Sequence, residues 1–178
     1  MNELGLIRAQ LAAERRHAAV VADAGAGVFA ARGADSAALE DFRQACVDYL
    51  VCVLAWFEER DRRLAQLAHG QPPEHPARAP VEAALARPGR SREALERLEA
   101  ALAGAPWAEF ARFFHDVWST RRDALDALLA ANASVGQWRA LAGIDADTIL
   151  EERARYARVR AVAPAGVRLT DGEAAPGS

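Results

Sequence analysis

Residues 35–68 read DSAALEDFRQACVDYLVCVLAWFEERDRRLAQLA, and this stretch decides the fold. Its apolar residues recur every three or four positions, which places them on one face of an α-helix. That face comprises Leu39, Phe42, Cys46, Leu50, Val53, Phe57 and Leu64, and it is widened by Val47, Val51 and Leu54. Asp35 or Ser36 can cap the N-terminus of the helix. Because the apolar face is wide, we expect this helix to lie at the centre of a helical protein.

Similar patterns fill the rest of the chain, with breaks between them. We expect further helices from Glu3 to about Phe29, from Ser91 to Gly104, from Pro106 to about Ala131, and from Asp145 or Asp147 onward. Four prolines between His69 and Pro80 predict a loop. No segment shows the strict alternation of a half-buried strand. The sequence therefore predicts an all-α fold. Residues 1–160 form one up-and-down four-helix bundle with two or three short additional helices, and residues 161–178 form a flexible tail.

Composition excludes several classes of protein. The net charge of the 178-residue chain is −3, which gives no electrostatic footprint for nucleic acid. The most apolar run, Ala45 to Phe57, is shorter than the roughly 20 residues that span a bilayer. The N-terminus lacks the basic and apolar regions of a signal peptide. Cys46 and Cys52 point in different directions on one helix, so we expect free thiols and a cytoplasmic protein.

Several ionisable residues fall on the inward faces of these helices. Glu14 interrupts the apolar stripe of the first helix, and His17 lies at the edge of that stripe. The other inward charged residues are Arg60, Arg121, Glu152 and Arg153. Burying such groups costs free energy unless they are paired or bound to something. This set is therefore the best pointer to function in the chain.

Three interpretations of this set remain open. In the first, Glu14 and Glu152 form buried ion pairs with Arg60, Arg121 or Arg153. In the second, Glu14 and His17 form an E-x-x-H pair that binds iron, zinc or manganese together with Glu152, since residues three apart are neighbours on a helix. In the third, arginines in excess of their carboxylate partners bind a small anionic ligand.

Parts of the chain resemble the hemerythrin-like (HHE) helical bundles. The resemblance rests on Glu14-Arg15-Arg16-His17, on Tyr49-Leu50, on the run from Phe57 to Asp61, and on the order of four helices. It implies a four-helix bundle with two irons held by several histidines. The family's H-x-x-x-E and H-x-x-x-H pairs are absent here, and only His17 falls on a position comparable to a ligand. The resemblance thus implies a bundle that has lost its di-iron site.

Together these observations favour a binding or interaction module over an enzyme, because no convincing catalytic set is present. The candidate binding residues are Glu14, His17, Arg60, Arg121, Glu152 and Arg153. The alternative is a metal-binding protein that uses Glu14, His17 and Glu152. Trp56 and Trp118 lie at the edges of apolar stripes, which favours a homodimer. We expect neither a nucleic acid nor a membrane as a partner.

Overall fold

A computed structural model of the chain describes residues 3–29, 37–70, 72–75, 78–79, 82, 90–103, 106–116, 146–167 and 169. Five helices account for most of these residues, and no strand occurs among them. We number them α1 (Glu3–Phe29), α2 (Ala37–His69), α3 (Arg90–Leu102), α4 (residues 107–116) and α5 (Ala146–Ala161). Over the described residues the predicted all-α character is confirmed.

Helix α2 lies at the centre of the packing and contacts α1, α3 and α5. Its apolar face supplies much of the core, including Phe42, Leu50, Leu54 and Phe57. Contacts along the helices fix their directions. Glu14 and Phe29 of α1 meet Arg60 and Phe42 of α2, so α1 and α2 are antiparallel.

The last helix packs against both of the first two. On α2, Tyr49 and Cys52 meet Glu152 and Glu151 of α5, in opposite chain order. Helix α5 is therefore antiparallel to α2 and parallel to α1. This arrangement brings one face of α1 and one face of α5 together beside α2.

Several sequence-based expectations differ from the structure in detail. Val51, expected to widen the apolar face of α2, is 42% exposed. Helix α3 begins at Arg90, one residue before the expected cap at Ser91. Val162 and Val167 pack against the core, and the flexible tail expected over residues 161–178 stays a prediction. The predicted continuation of the Pro106 helix to about Ala131 lies outside the described residues.

No helix in the described part of the chain has both the length and the apolarity to span a membrane.

One glycine allows α1 and α4 to approach closely. Trp107 of α4 is buried, and its indole Nε1 donates a hydrogen bond to the Ala22 carbonyl at 2.9 Å. The indole lies directly over Gly25, and a Cβ at that position would lie 2.7 Å from Cζ2 of the ring and closer still to Cε2 and Nε1. Gly25 is thus required by packing. Gly27, one half-turn later, has nothing within 4 Å of the corresponding position.

We expect these two glycines to respond oppositely to alanine. Gly25→Ala forces the rigid indole of Trp107 to move, and overpacking of this kind destabilises by about 1–3 kcal/mol. Gly27→Ala meets open space and removes the flexibility of a helical glycine, so it stabilises by about 0.5–1 kcal/mol. Urea unfolding of both variants measures the difference. Equal effects of the two substitutions would contradict the packing role of Gly25.

Candidate functional site

A buried ion pair links α1 to α2. The Glu14 side chain is 1% exposed and that of Arg60 is 7% exposed. Arg60 Nη1 donates to Glu14 Oε2 at 2.6 Å, and Nη2 donates to Oε1 at 3.3 Å. Gln10, one turn earlier on α1, donates a long hydrogen bond of 3.4 Å to the same Oε1. The guanidinium therefore engages both carboxylate oxygens in the two-pronged geometry that arginine favours.

A second buried carboxylate lies on α5 and joins three helices. Glu152 is 1% exposed, and its Oε1 accepts a hydrogen bond from the Tyr49 hydroxyl of α2 at 2.8 Å. Nδ1 of His17, on α1, lies 2.8 Å from the same oxygen. An ionised carboxylate can only accept, so this contact places the ring hydrogen on Nδ1. Nε2, the second ring nitrogen, takes no part in this contact.

Aromatic rings enclose this carboxylate. The imidazole of His17 stacks on the ring of Tyr156, with centroids 3.8 Å apart and planes 10° apart. Tyr49 and Tyr156 lie near each other, with centroids 5.8 Å apart. Burial raises the pKa of the Tyr49 phenol far above its usual range, and the neighbouring charge of Glu152 adds to this effect. Tyr49 consequently stays protonated and remains a hydrogen-bond donor to Glu152.

We refer to Gln10, Glu14, His17, Tyr49, Arg60 and Glu152 as the interior polar cluster. Its two carboxylates differ in how fully they are engaged. Both oxygens of Glu14 have partners, whereas Oε2 of Glu152 is buried without a hydrogen-bond partner among the described residues. A buried carboxylate oxygen without a hydrogen-bond partner can accept a hydrogen bond from water, or it can bind a proton or a cation. No group of three or more His, Cys, Asp or Glu side chains placed to hold a metal occurs in the described part of the chain.

The structure brings some of the site residues predicted from the sequence together and leaves others apart. Glu14 and Arg60 form one of the expected ion pairs. Glu152 meets His17, whereas the ion-pair interpretation gives Glu152 an arginine partner and the metal interpretation groups it with His17 and Glu14. The inward position predicted for Arg153 is wrong, because α5 turns Glu152 to the interior and leaves Arg153 exposed. Arg121 lies outside the described residues.

Sequence reasoning missed the role of Tyr49. The residue lies between Cys46 and Leu50 on the apolar face of α2, where tyrosine reads as an ordinary core side chain. Its hydroxyl was the available signal, since a buried tyrosine normally directs its O–H to an acceptor. Counting that hydroxyl among the inward polar groups would have added α2 as a partner of Glu152.

The two cysteines lie beside the cluster but in different surroundings. Cys46 is buried in the core, and burial raises the pKa of its thiol to about 12. Cys52 is partly buried, and its Sγ lies 3.8 Å from a carboxylate oxygen of Glu151 on α5. Partial burial, opposed by the positive charge of Arg155, raises the pKa of this thiol to about 11. Both thiols are therefore protonated at neutral pH.

We expect both thiols to react slowly with Ellman's reagent in the folded protein. The thiolate is the reactive form, and at pH 8 a pKa of about 11 leaves only about one thiolate in 10³ molecules. In denaturant both thiols regain ordinary acidity and react within minutes. Cys52 should react before Cys46, because it is less buried and has the lower pKa. The Cys46→Ala and Cys52→Ala variants assign the two phases, and rapid labelling of the native protein would contradict the geometry.

Comparison with known proteins identifies no relative of the chain. No family model, no curated protein and no solved structure matches the chain.

Proposed function

We propose that the chain is a non-catalytic binding or interaction protein of the cytoplasm, built as a hemerythrin-like up-and-down four-helix bundle without a di-iron site. The observation that carries this proposal is the pairing of Glu14 with Arg60. Glu14 is the carboxylate of the E-x-x-H pair, and the guanidinium of Arg60 occupies both of its oxygens.

An arginine in this position disfavours a metal at Glu14. A cation bound there would displace a buried guanidinium from its carboxylate or would lie close to it in a medium where like charges repel strongly. The Glu14–Arg60 pair thus supports the interpretation in which a hydrogen-bonded ion pair, and not a metal, stabilises the interior. In this proposal the cluster joins α1, α2 and α5 into one rigid scaffold, and binding occurs on the surface that the scaffold holds in shape.

Metal analysis of the full chain tests the proposal directly. The protein is purified without chelators, and its iron, zinc and manganese are measured by mass spectrometry. We expect far less than one metal per chain and the same melting temperature with and without EDTA. One metal per chain that is lost in both Glu14→Ala and His17→Ala would overturn the proposal.

One observation favours the alternative function of metal binding. Glu152 has a buried oxygen without a hydrogen-bond partner in the described part of the chain, and His17 lies against its other oxygen. These two residues offer an oxygen and an imidazole nitrogen, which suit zinc, iron or manganese. Glu14 fits such a centre poorly, because Arg60 holds it. If this alternative is correct, Glu152→Gln abolishes metal uptake, and His115→Ala, which changes an exposed histidine, leaves uptake unchanged.

A homodimer and a small anionic ligand belong to the same proposal. Val51 of α2 and Leu150 of α5 are exposed apolar residues on helices that pack together, and exposed apolar residues of this kind support self-association. Light scattering at increasing concentration tests the dimer, and a monomer throughout would count against it. Anion binding has weaker support, because Arg60 is already paired and Arg153 is exposed. A rise in melting temperature with phosphate would support it.

A further inference from the structure

An open groove separates α1 from the segment that follows α5. Its volume is about 470 Å³, within the range of about 300–1,000 Å³ typical of small-molecule sites. Val20 and Val28 of α1 line one wall, and Val167 lines the other. The groove lies outside the interior polar cluster and takes no part in the function proposed above.

Two glycines keep the groove open, one on each wall. A Cβ at Gly27 or at Gly166 would meet nothing within 4 Å. Gly166 has φ +91°, a conformation that other L-residues rarely adopt. Gly27 is exposed on a regular helix and has no such conformational requirement. Its effect on the groove is therefore purely one of space, so a larger side chain at Gly27 can fill the groove without disturbing the core.

Asp23 is the charged residue among the described residues that line the groove. Its Oδ1 lies 2.8 Å from Nε2 of His115 on α4, and this contact orients the carboxylate. Oδ2 has no hydrogen-bond partner among the residues that the structure describes, and the side chain is 63% exposed. The groove thus combines apolar walls with an exposed, negatively charged hydrogen-bond acceptor, the carboxylate of Asp23. This combination is complementary to a ligand with an apolar body and a cationic donor group.

We propose that the groove binds a small amphipathic organic cation. The apolar part of the ligand lies between Val20 and Val28 on one side and Val167 on the other, and its ammonium group donates to Asp23. A carboxylate or phosphate ligand of the same shape is rejected, because Asp23 repels it. A neutral ligand of the same shape binds more weakly, because it lacks the charge-assisted hydrogen bond.

Three probes that differ only at the polar end test this proposal. They are 2-phenylethylammonium, 2-phenylethanol and phenylacetate, each titrated into the full-length protein and followed by chemical-shift changes in a ¹H–¹⁵N spectrum. We expect the ammonium probe to bind most tightly, by about fivefold or more over the alcohol, with shifts centred on residues 20–28 and 166–167. Phenylacetate should give no saturable shifts.

Variants separate the two parts of the interaction. Asp23→Asn should reduce the affinity for the ammonium probe to that for the alcohol, and Gly27→Leu should abolish binding of both. Asp41→Asn, which removes an exposed carboxylate on α2, is the matched control and should leave all affinities unchanged. If Gly27→Leu does not fold, the comparison of Asp23→Asn with Asp41→Asn still decides the outcome.

Several results would overturn the proposal. Equal affinity for the three probes would show that Asp23 does not contribute to binding. Chemical-shift changes located away from the groove would show that the probes bind elsewhere. Concentration-dependent dimerisation that Gly27→Leu abolishes would place a second copy of the chain in the groove and not a small cation.

Discussion

Replacing Glu14 with glutamine lowers the free energy of unfolding by about 3–5 kcal/mol. The substitution keeps the shape of the side chain but removes its charge, so the buried guanidinium of Arg60 loses the carboxylate to which both Nη1 and Nη2 donate. Removing one partner of a buried ion pair typically has an effect of this size. Urea unfolding at pH 7, followed by circular dichroism, measures it.

An exposed pair provides the matched control. Glu93 and Arg97 on α3 form an i,i+4 ion pair at 2.9 Å, with both side chains close to half exposed. Glu93→Gln should change the free energy of unfolding by less than about 0.5 kcal/mol. If Glu14→Gln were as mild as this control, the Glu14–Arg60 pair would have no role in holding α1 on α2.

The double substitution Glu14→Leu with Arg60→Met sharpens the test. It removes both charges and fills the space with apolar groups, which is often neutral or stabilising for a buried pair. We expect the double variant to recover most of the stability lost in Glu14→Gln. A double variant as unstable as the single one would show that the charge of Arg60 is not what destabilises Glu14→Gln.

Truncating Trp107 to alanine has an effect of similar size. The residue is buried, contacts Phe29 and Phe110 edge-on, and donates to the Ala22 carbonyl. Removing so large a side chain destabilises by about 3–5 kcal/mol through lost contacts and the cavity left behind. Trp107→Phe should be milder, since it retains much of the ring and loses the hydrogen bond.

Coupling to Gly25 distinguishes this contact from a general loss of packing. The clash expected in Gly25→Ala is with the indole, so it disappears when the indole is absent. In the Trp107→Ala background we therefore expect Gly25→Ala to be neutral or slightly stabilising, as a helical glycine replaced by alanine usually is. Additive effects of the two substitutions would contradict direct contact.

The helices and the burial of Glu14 could be predicted from the sequence, because both follow from periodicity within one helix. The bounds of α1 agree with the prediction, and Glu14 lies where the spacing of three and four residues puts it. Which of the three candidate arginines is its partner could not be predicted. Arg60 meets Glu14 only in the antiparallel register of α1 and α2, which no pattern within a single helix specifies.

The error at Arg153 has a related origin. Glu152 and Arg153 are neighbours in sequence, about 100° apart around α5. A modest rotation of the helix decides which of them faces inward, and that rotation is set by packing against α1 and α2. In the structure Tyr156 and Val159 are buried on the same side as Glu152, which turns Arg153 to the solvent.

The sequence separations within the interior polar cluster imply an order of assembly. Glu14 and Arg60 are 46 residues apart. A nascent chain that has emerged only as far as α2 therefore already contains both the carboxylate of Glu14 and the guanidinium that pairs with it. The contacts of Glu152 with Tyr49 and His17 span 103 and 135 residues and must await the final helix. Since closing longer loops is slower, we expect an α1–α2 hairpin to form first during synthesis and α5 to dock onto it as the closing event.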